Sequence, residues 1–161
     1  IIDDVAYSSK WHAHSVKNKK GVALERIDPD AATQDAANWT SASETVGYGT
    51  PGYQNSQYKD ASSGGATGIE PPVWIEESGS YTVSYLLDRP GYSCRAFVFN
   101  TSGLRVADIS NHELLGISGK ITWSGVANNG SPLQTGVYIF YAEIYHPEGT
   151  VKRFKKAFLI R

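Results

Sequence analysis

The segment Gly136–Tyr145 constrains the fold more than any other stretch of the chain. It reads Gly-Val-Tyr-Ile-Phe-Tyr-Ala-Glu-Ile-Tyr. β-Branched and aromatic side chains dominate it, and these suit a pleated, half-buried surface. In a strand, Tyr138, Phe140, Ala142 and Ile144 share one face, with Val137, Ile139, Tyr141 and Tyr145 on the other. Only Glu143 is charged, so both faces are expected to be covered at least in part. Pro147-Glu148-Gly149 then supplies a turn, and residues 151–160 return as the second arm of a long hairpin.

At 161 residues the chain has room for one large domain or two small ones. Its apolar share of 40% is enough for a packed core and argues against disorder. A net charge of −1 argues against a nucleic-acid binder, which shows a basic excess or stripe. The bias toward Tyr and Gly fits an all-β protein with many turns. The single cysteine, Cys94, excludes an internal disulfide and reads as a small buried hydrophobe. Met is absent, at position 1 as elsewhere, so the chain reads as a processed or excised piece. No stretch approaches the roughly 18 apolar residues of a membrane helix.

Along the chain, residues 1–7 read as a strand with Val5 and Tyr7 on one face. Residues 21–27 read as another, with Val22, Leu24 and Arg26 opposite Ala23, Glu25 and Ile27. Pro29 stops it, and Asp30 is placed to cap a short turn through Ala31 and Ala32. Residues 38–57 form an ordered loop pinned by Trp39, Tyr48 and Tyr53. Residues 61–68 lack charge and large apolar groups and behave as a linker. The expected division is therefore 1–60, a linker at 61–70, and 71–161. The last unit shows strand signals at 73–76, 81–87, 93–100, 104–109 and 119–123, with a tight turn at Asn128-Asn129-Gly130. Only residues 111–115 suit a helical turn. About seven short strands at this spacing predict a β-sandwich.

Two resemblances refine this. Ile2-Asp3 with Val5 and Tyr7, then Gly21-Val22-Ala23-Leu24-Glu25-Arg26, Asn38-Trp39, and Thr50-Pro51-Gly52 with Asn55 occur in order. In this they resemble the C-terminal part of a bacterial lamin-tail domain. The family's opening strands are absent, which implies about half of an Ig-like module with an exposed apolar face and an orphan edge. Ala96, Val98, Phe99, Asn100, Gly103, Val106, Trp123 with Gly125, and Gly136 with Tyr138 resemble the Ig-like domain named after the flagellar hook capping protein. Ser124 stands where that family has Asp. The implied fold is all-β: an Ig-like sandwich preceded by the last strands of a second, incomplete Ig-like module. The implied location is exported: periplasmic, outer-membrane-associated or extracellular.

Candidate chemistry is sparse. His12 and His14 would share a face in a strand, but a structural zinc site needs more ligands than this pair. Asp28, Asp30 and Asp35 miss the calcium-loop spacing and read as turn and capping residues. Gly47, Gly49 and Gly52 lack the Lys-Ser or Lys-Thr of a phosphate loop and read as turn glycines. Nothing resembles a nucleophile elbow. Trp123 reads as a core plug, with exposure of Trp74 and Trp123 the mark of a carbohydrate platform. Lys152, Arg153, Lys155 and Lys156 form a basic cluster on the last strand, which suits a protected edge or an interaction surface. Asn38-Trp39-Thr40 and Asn100-Thr101-Ser102 match the glycosylation sequon by chance in a bacterial chain. The expected function is a non-catalytic structural, adhesive or positioning module of an exported multidomain protein, with no cofactor and no metal. The alternatives are a C-terminal sorting or surface-anchoring domain and an accessory carbohydrate-binding domain of an enzyme. The expected partner is another protein or the parent chain, with a homodimer through the orphan edge a further option.

Overall fold

The computed structural model describes residues 4–59 and 66–161. The chain is all-β, with several antiparallel sheets and, among the described residues, only short 3-10 turns. The first half of the linker expected at 61–70, and the start of the strand expected at 1–7, lie outside the described residues.

The N-terminal segment carries a two-stranded sheet, β1 (Leu24–Arg26) antiparallel to β2 (Trp39–Ser41). Residues 4–7 are not a strand. A side chain takes their backbone groups instead: the Gln34 amide donates to Asp4 O at 2.8 Å and accepts from Ala6 N at 3.4 Å. The strand expected over 21–27 is cut to three residues. Ala23 N leaves the β1–β2 ladder to donate to Tyr48 O at 2.9 Å. The helical turn expected at Asp30 falls later, at Ala36–Asn38, where the Asp35 carboxylate caps Ala37 N. Trp39 does pin its loop, stacking on Trp11 and donating from Nε1 to Thr33 O. Tyr53 does not; it is 84% exposed.

The rest of the described chain is a sandwich of two antiparallel sheets. In the first, β3 (Gly68–Ile69) and β4 (Val73–Ile75) both pair with one side of β5 (Ser80–Leu86). They are one edge strand interrupted at Pro71-Pro72, which have no N–H to give a ladder. Gly68 and Ile69, inside the expected linker range, thus belong to this sheet. The second sheet contains β6 (Ser93–Phe99) and β7 (Arg105–Leu114). β8 (Ser118–Trp123) returns to the first sheet and pairs with the other side of β5. β9 (Gly136–Tyr145) and β10 (Val151–Ile160) complete the second, in the order β10-β9-β6-β7.

The alternation read from the sequence fills the core. Tyr81, Val83 and Tyr85 face Cys94, Ala96 and Val98, and Phe140, Ala142 and Ile144, all buried in one cluster. Burial pushes the Cys94 thiol up to about 12, so it is packing material and not a nucleophile. The outer face of β9 is covered only at its middle. Tyr141 stacks on Phe97, while Val137 is 53% exposed. The helical turn expected at 111–115 does not form: residues 111–114 continue β7. Three register shifts against β6, with His112 at φ 64°, bend the strand while keeping it paired.

Phe140 is fully buried at the centre of this core. Phe140→Ala is expected to cost about 3–5 kcal/mol in urea unfolding, whereas Val137→Ala, on the opposite face of the same strand, costs less than about 0.5 kcal/mol.

Candidate functional site

Two places among the described residues gather chemistry-bearing side chains: the junction between the N-terminal segment and the sandwich, and an open groove at the sandwich edge. The junction is built on Glu25, whose side chain is 3% exposed. Its carboxylate accepts from Thr50 Oγ1 at 2.6 Å, Ser56 Oγ at 2.7 Å and Gln57 N at 3.1 Å. Asn55 Nδ2 donates to Arg26 O, and Asn38 exchanges two bonds with the Asp28 backbone. Of the residues carrying the lamin-tail resemblance, Thr50 bonds this acid directly, and Asn55 and Asn38 hold the backbone of Arg26 and Asp28 beside it. A buried carboxylate is tolerable when its lone pairs are occupied in this way.

That network positions Ser56 and Gln57 against the sandwich. Gln57, fully buried, donates to Ser41 O at 3.1 Å and to Leu115 O at 3.0 Å, tying the N-terminal segment to the β7–β8 turn. Ile117 N donates to Ser56 O at 2.9 Å. Gly116 allows this approach, since a Cβ there would sit 2.5 Å from Ser56 O. The Tyr85 hydroxyl meets Thr45 Oγ1 at 3.1 Å and accepts from Gly116 N. Across the same junction, burial and then the Glu44 carboxylate raise the Glu113 pKa against the Ser110 hydroxyl. Burial and Glu44 push Tyr48 up to about 12.

The residues singled out by motif and spacing scatter over the molecule. His12 bonds Ser41 Oγ through Nδ1 at 2.9 Å, and burial followed by Lys19 lowers its pKa. His14 is exposed, and the two follow a 3-10 turn, not a strand. No group of three potential metal ligands occurs among the described residues. Asp28 and Asp35 accept from nearby backbone amides, as turn residues do. Gly47 and Gly52 take φ of 70° and 80°, the left-handed region that favours glycine. Asn38 is buried with its amide committed, and Asn100 closes its own turn through Ser102 N and Leu104 N.

The basic cluster is not one surface. Lys152 lies at the sandwich end, donating to Thr67 Oγ1 and to Asp88 Oδ1 at 3.0 Å. The Thr67 hydroxyl, then Lys152, hold the Asp88 carboxyl well below the usual range. Arg153 pairs with Glu143 at 2.8 Å on the outer sheet face. Lys155 and Lys156 have no ion-pair partner among the described residues, and they point to opposite faces of β10.

The second place is a groove of about 810 Å³ between the edges of β4 and β10. Trp74 and Tyr81 wall it on one side and Phe158 and Leu159 on the other. Trp74 meets Tyr81 edge-on at 5.1 Å, and Tyr81 leans on Phe158 at 5.7 Å. Trp123 backs this cluster, half-buried, with Nε1 donating to Val126 O. Trp74 is 39% exposed, and Val73 and Leu159 are 54% and 51% exposed. Sequence reading picked out Trp74 but not the groove, because its second wall lies more than 80 residues away in β10. Glu25 and Gln57 were missed as well; a lone acid in a strand gives only a weak signal, and Gln57 gives none.

No family model matches the chain, and no curated protein sequence does. Among solved structures the chain is similar to PorZ, an essential bacterial surface component of the type-IX secretion system of Porphyromonas gingivalis. The identity is 16% and the TM-score 0.33, over 78% of this chain and 14% of that one. No helix among the described residues is long and apolar enough to cross a membrane.

Glu25→Gln would place an amide donor among three donors to the carboxylate. It is expected to cost about 1–3 kcal/mol and to speed hydrogen exchange at Ile117 N, which hangs on Ser56. For pH, the raised Glu113 pKa means that the proton favours the folded state. That stability is complete below the unfolded value and is lost as pH rises through the folded one. His12, with a lowered pKa, acts oppositely in the same window. Asp88 contributes above its ordinary value and loses that only as pH falls through its depressed one. The thermal midpoint of wild type minus that of Glu113→Gln, which cancels His12, is therefore expected to rise as pH falls from 7 to about 5.

Proposed function

We propose that the chain is a non-catalytic binding or positioning module of an exported bacterial multidomain protein. In this reading the sandwich is Ig-like and residues 1–60 are the closing part of a lamin-tail-like unit. The observation that carries the proposal is the groove between β4 and β10. It is open and mostly apolar, with Trp74 displayed at its rim, which is the character of a surface that holds a partner. The strand order β10-β9-β6-β7 facing β3/β4-β5-β8 supports the Ig-like assignment. The junction supports a positioning role, because buried hydrogen bonds through Gln57 fix one unit against the other.

A second reading, carbohydrate binding, is favoured by the exposure of Trp74. Against it, Trp123 does not extend a flat platform: it is half-buried with its N–H committed to Val126 O.

Immobilised full-length chain is expected to retain a specific protein from the exported fraction of the source cells. Trp74→Ala should lower that retention while shifting the thermal midpoint by less than about 3 °C. Undiminished retention by Trp74→Ala, or saturable turnover of a supplied substrate, would sink the proposal.

A further inference from the structure

The edge of β10 is open, and the charges that can defend it are confined to residues 152–156. β9 lies along one side of it for all ten paired residues, and no described residue pairs with the other side. His146 N donates to Thr150 O at 2.8 Å, which sets the parity of the ladder. By the two-residue repeat of antiparallel pairing, Arg153, Lys155, Ala157 and Leu159 turn their N–H and C=O groups away from β9. Edges are usually blunted by charged side chains, lysines above all, or by bulges, prolines or inward-pointing charges. The β9–β10 register runs without a shift, and the run Ala157-Phe158-Leu159-Ile160 carries no charge.

We propose that β10 receives an extended, acidic segment of a partner protein as an added strand, from Lys155 to Leu159. The proposal rests on the binding role argued above and names the partner's chemistry. The backbone groups of Lys155, Ala157 and Leu159 supply hydrogen bonds that any extended chain can satisfy. Selectivity comes from the two faces. On the inner face, alternate side chains of the added strand reach the apolar groove at Trp74 and Phe158. On the outer face they lie beside Lys155 and Leu159. Lys152 and Arg153 are already neutralised by Asp88 and Glu143, whereas Lys155 and Lys156 have no carboxylate partner among the described residues. Acidic residues of the added strand therefore belong on its outer face, next to Lys155, while Lys156, on the inner face, adds cationic charge at the same edge. Glu76, on the lining of the groove, asks for neutral residues farther along. A second copy of β10 fits this pattern poorly, since it brings its own lysines to an edge already in cationic excess.

The test uses the full chain and three capped peptides of about eight residues: one alternating Val with Glu, its Lys counterpart, and the Glu peptide with a central Pro. The Glu peptide is expected to slow hydrogen exchange at the amides of Lys155, Ala157 and Leu159 by about tenfold, and the other two to leave it unchanged. Lys155→Glu with Lys156→Glu should weaken binding about tenfold. Ala157→Pro removes an outward N–H without touching the β9 ladder, so it should abolish binding at an unchanged unfolding midpoint. Equal binding of the Lys peptide, protection confined to other strands, or dimerisation of the chain through β10 overturns the proposal. If the Glu peptide fails while Trp74-dependent retention of an exported protein persists, the added strand is refuted and the binding role stands.

Discussion

The structure depends on β9 being hydrogen-bonded on both sides along nearly its whole length. β10 pairs with all ten of its residues, and β6 with seven of them. A strand flanked in this way cannot slip by one residue without sending Phe140, Ala142 and Ile144 to the solvent face. The registers of β10 and β6 are set through it, and β7 is then set through β6. The packing is graded accordingly. Ala96 lies opposite Ala142, and the facing sheet brings Tyr81 and Tyr85 into the same cluster. Small residues on one layer against large ones on the other let the two sheets interdigitate.

Tyr85 links this core to the second level of organisation. Its ring is buried within the sandwich, and its hydroxyl meets Thr45 and Gly116 at the junction. The described part of the N-terminal segment has two three-residue strands, too little sheet to stand as an independent unit. It is ordered instead by side chains that take the place of ladders. Glu25 collects its loop, Gln57 bridges Ser41 O and Leu115 O, and Asn38 closes on Asp28. Polar bonds of this kind hold only where water is excluded. The segment is therefore shaped by the end of the sandwich that it covers.

This division explains what could be read from the sequence. Alternation over residues 136–145 grouped Phe140, Ala142 and Ile144 on one face of β9, the face that is buried, because there the hydrophobic pattern and the burial have the same period of two. The N-terminal segment defeated the same reasoning. In β1 the buried residue is Glu25, so no apolar pattern marks the buried face, and the carboxylate's partners lie 25 to 32 residues distant. Residues 4–7 have strand composition but bond to a glutamine side chain, which no periodicity reveals. The basic cluster looked like one surface because its members are adjacent in sequence. A strand sends neighbours to opposite faces, and two distant acids, Asp88 and Glu143, divide the set further.

The two edges of the four-stranded sheet sharpen the point about β10. β7, the opposite edge, is defended: three register shifts twist it, His112 takes a left-handed conformation, and Arg105 and Asp108 form a bidentate pair on its surface. Arg105 also covers the ring of Phe97 at 3.7 Å, so the apolar row beneath that edge is capped. Each device costs ladder regularity, and together they make β7 a poor template for another strand. β10 has no bulge or left-handed residue, and its charges end at Lys156. Its first half is tied down by Asp88 and Glu143, but its second half pairs with β9 without a register shift, is uncharged beyond Lys156, and lies next to the groove that Trp74 borders. Both edges belong to one sheet of one chain, so solubility bears on both alike. A difference this large between them is a property of β10 itself, and it coincides with an apolar groove that opens beside a strand able to accept hydrogen bonds.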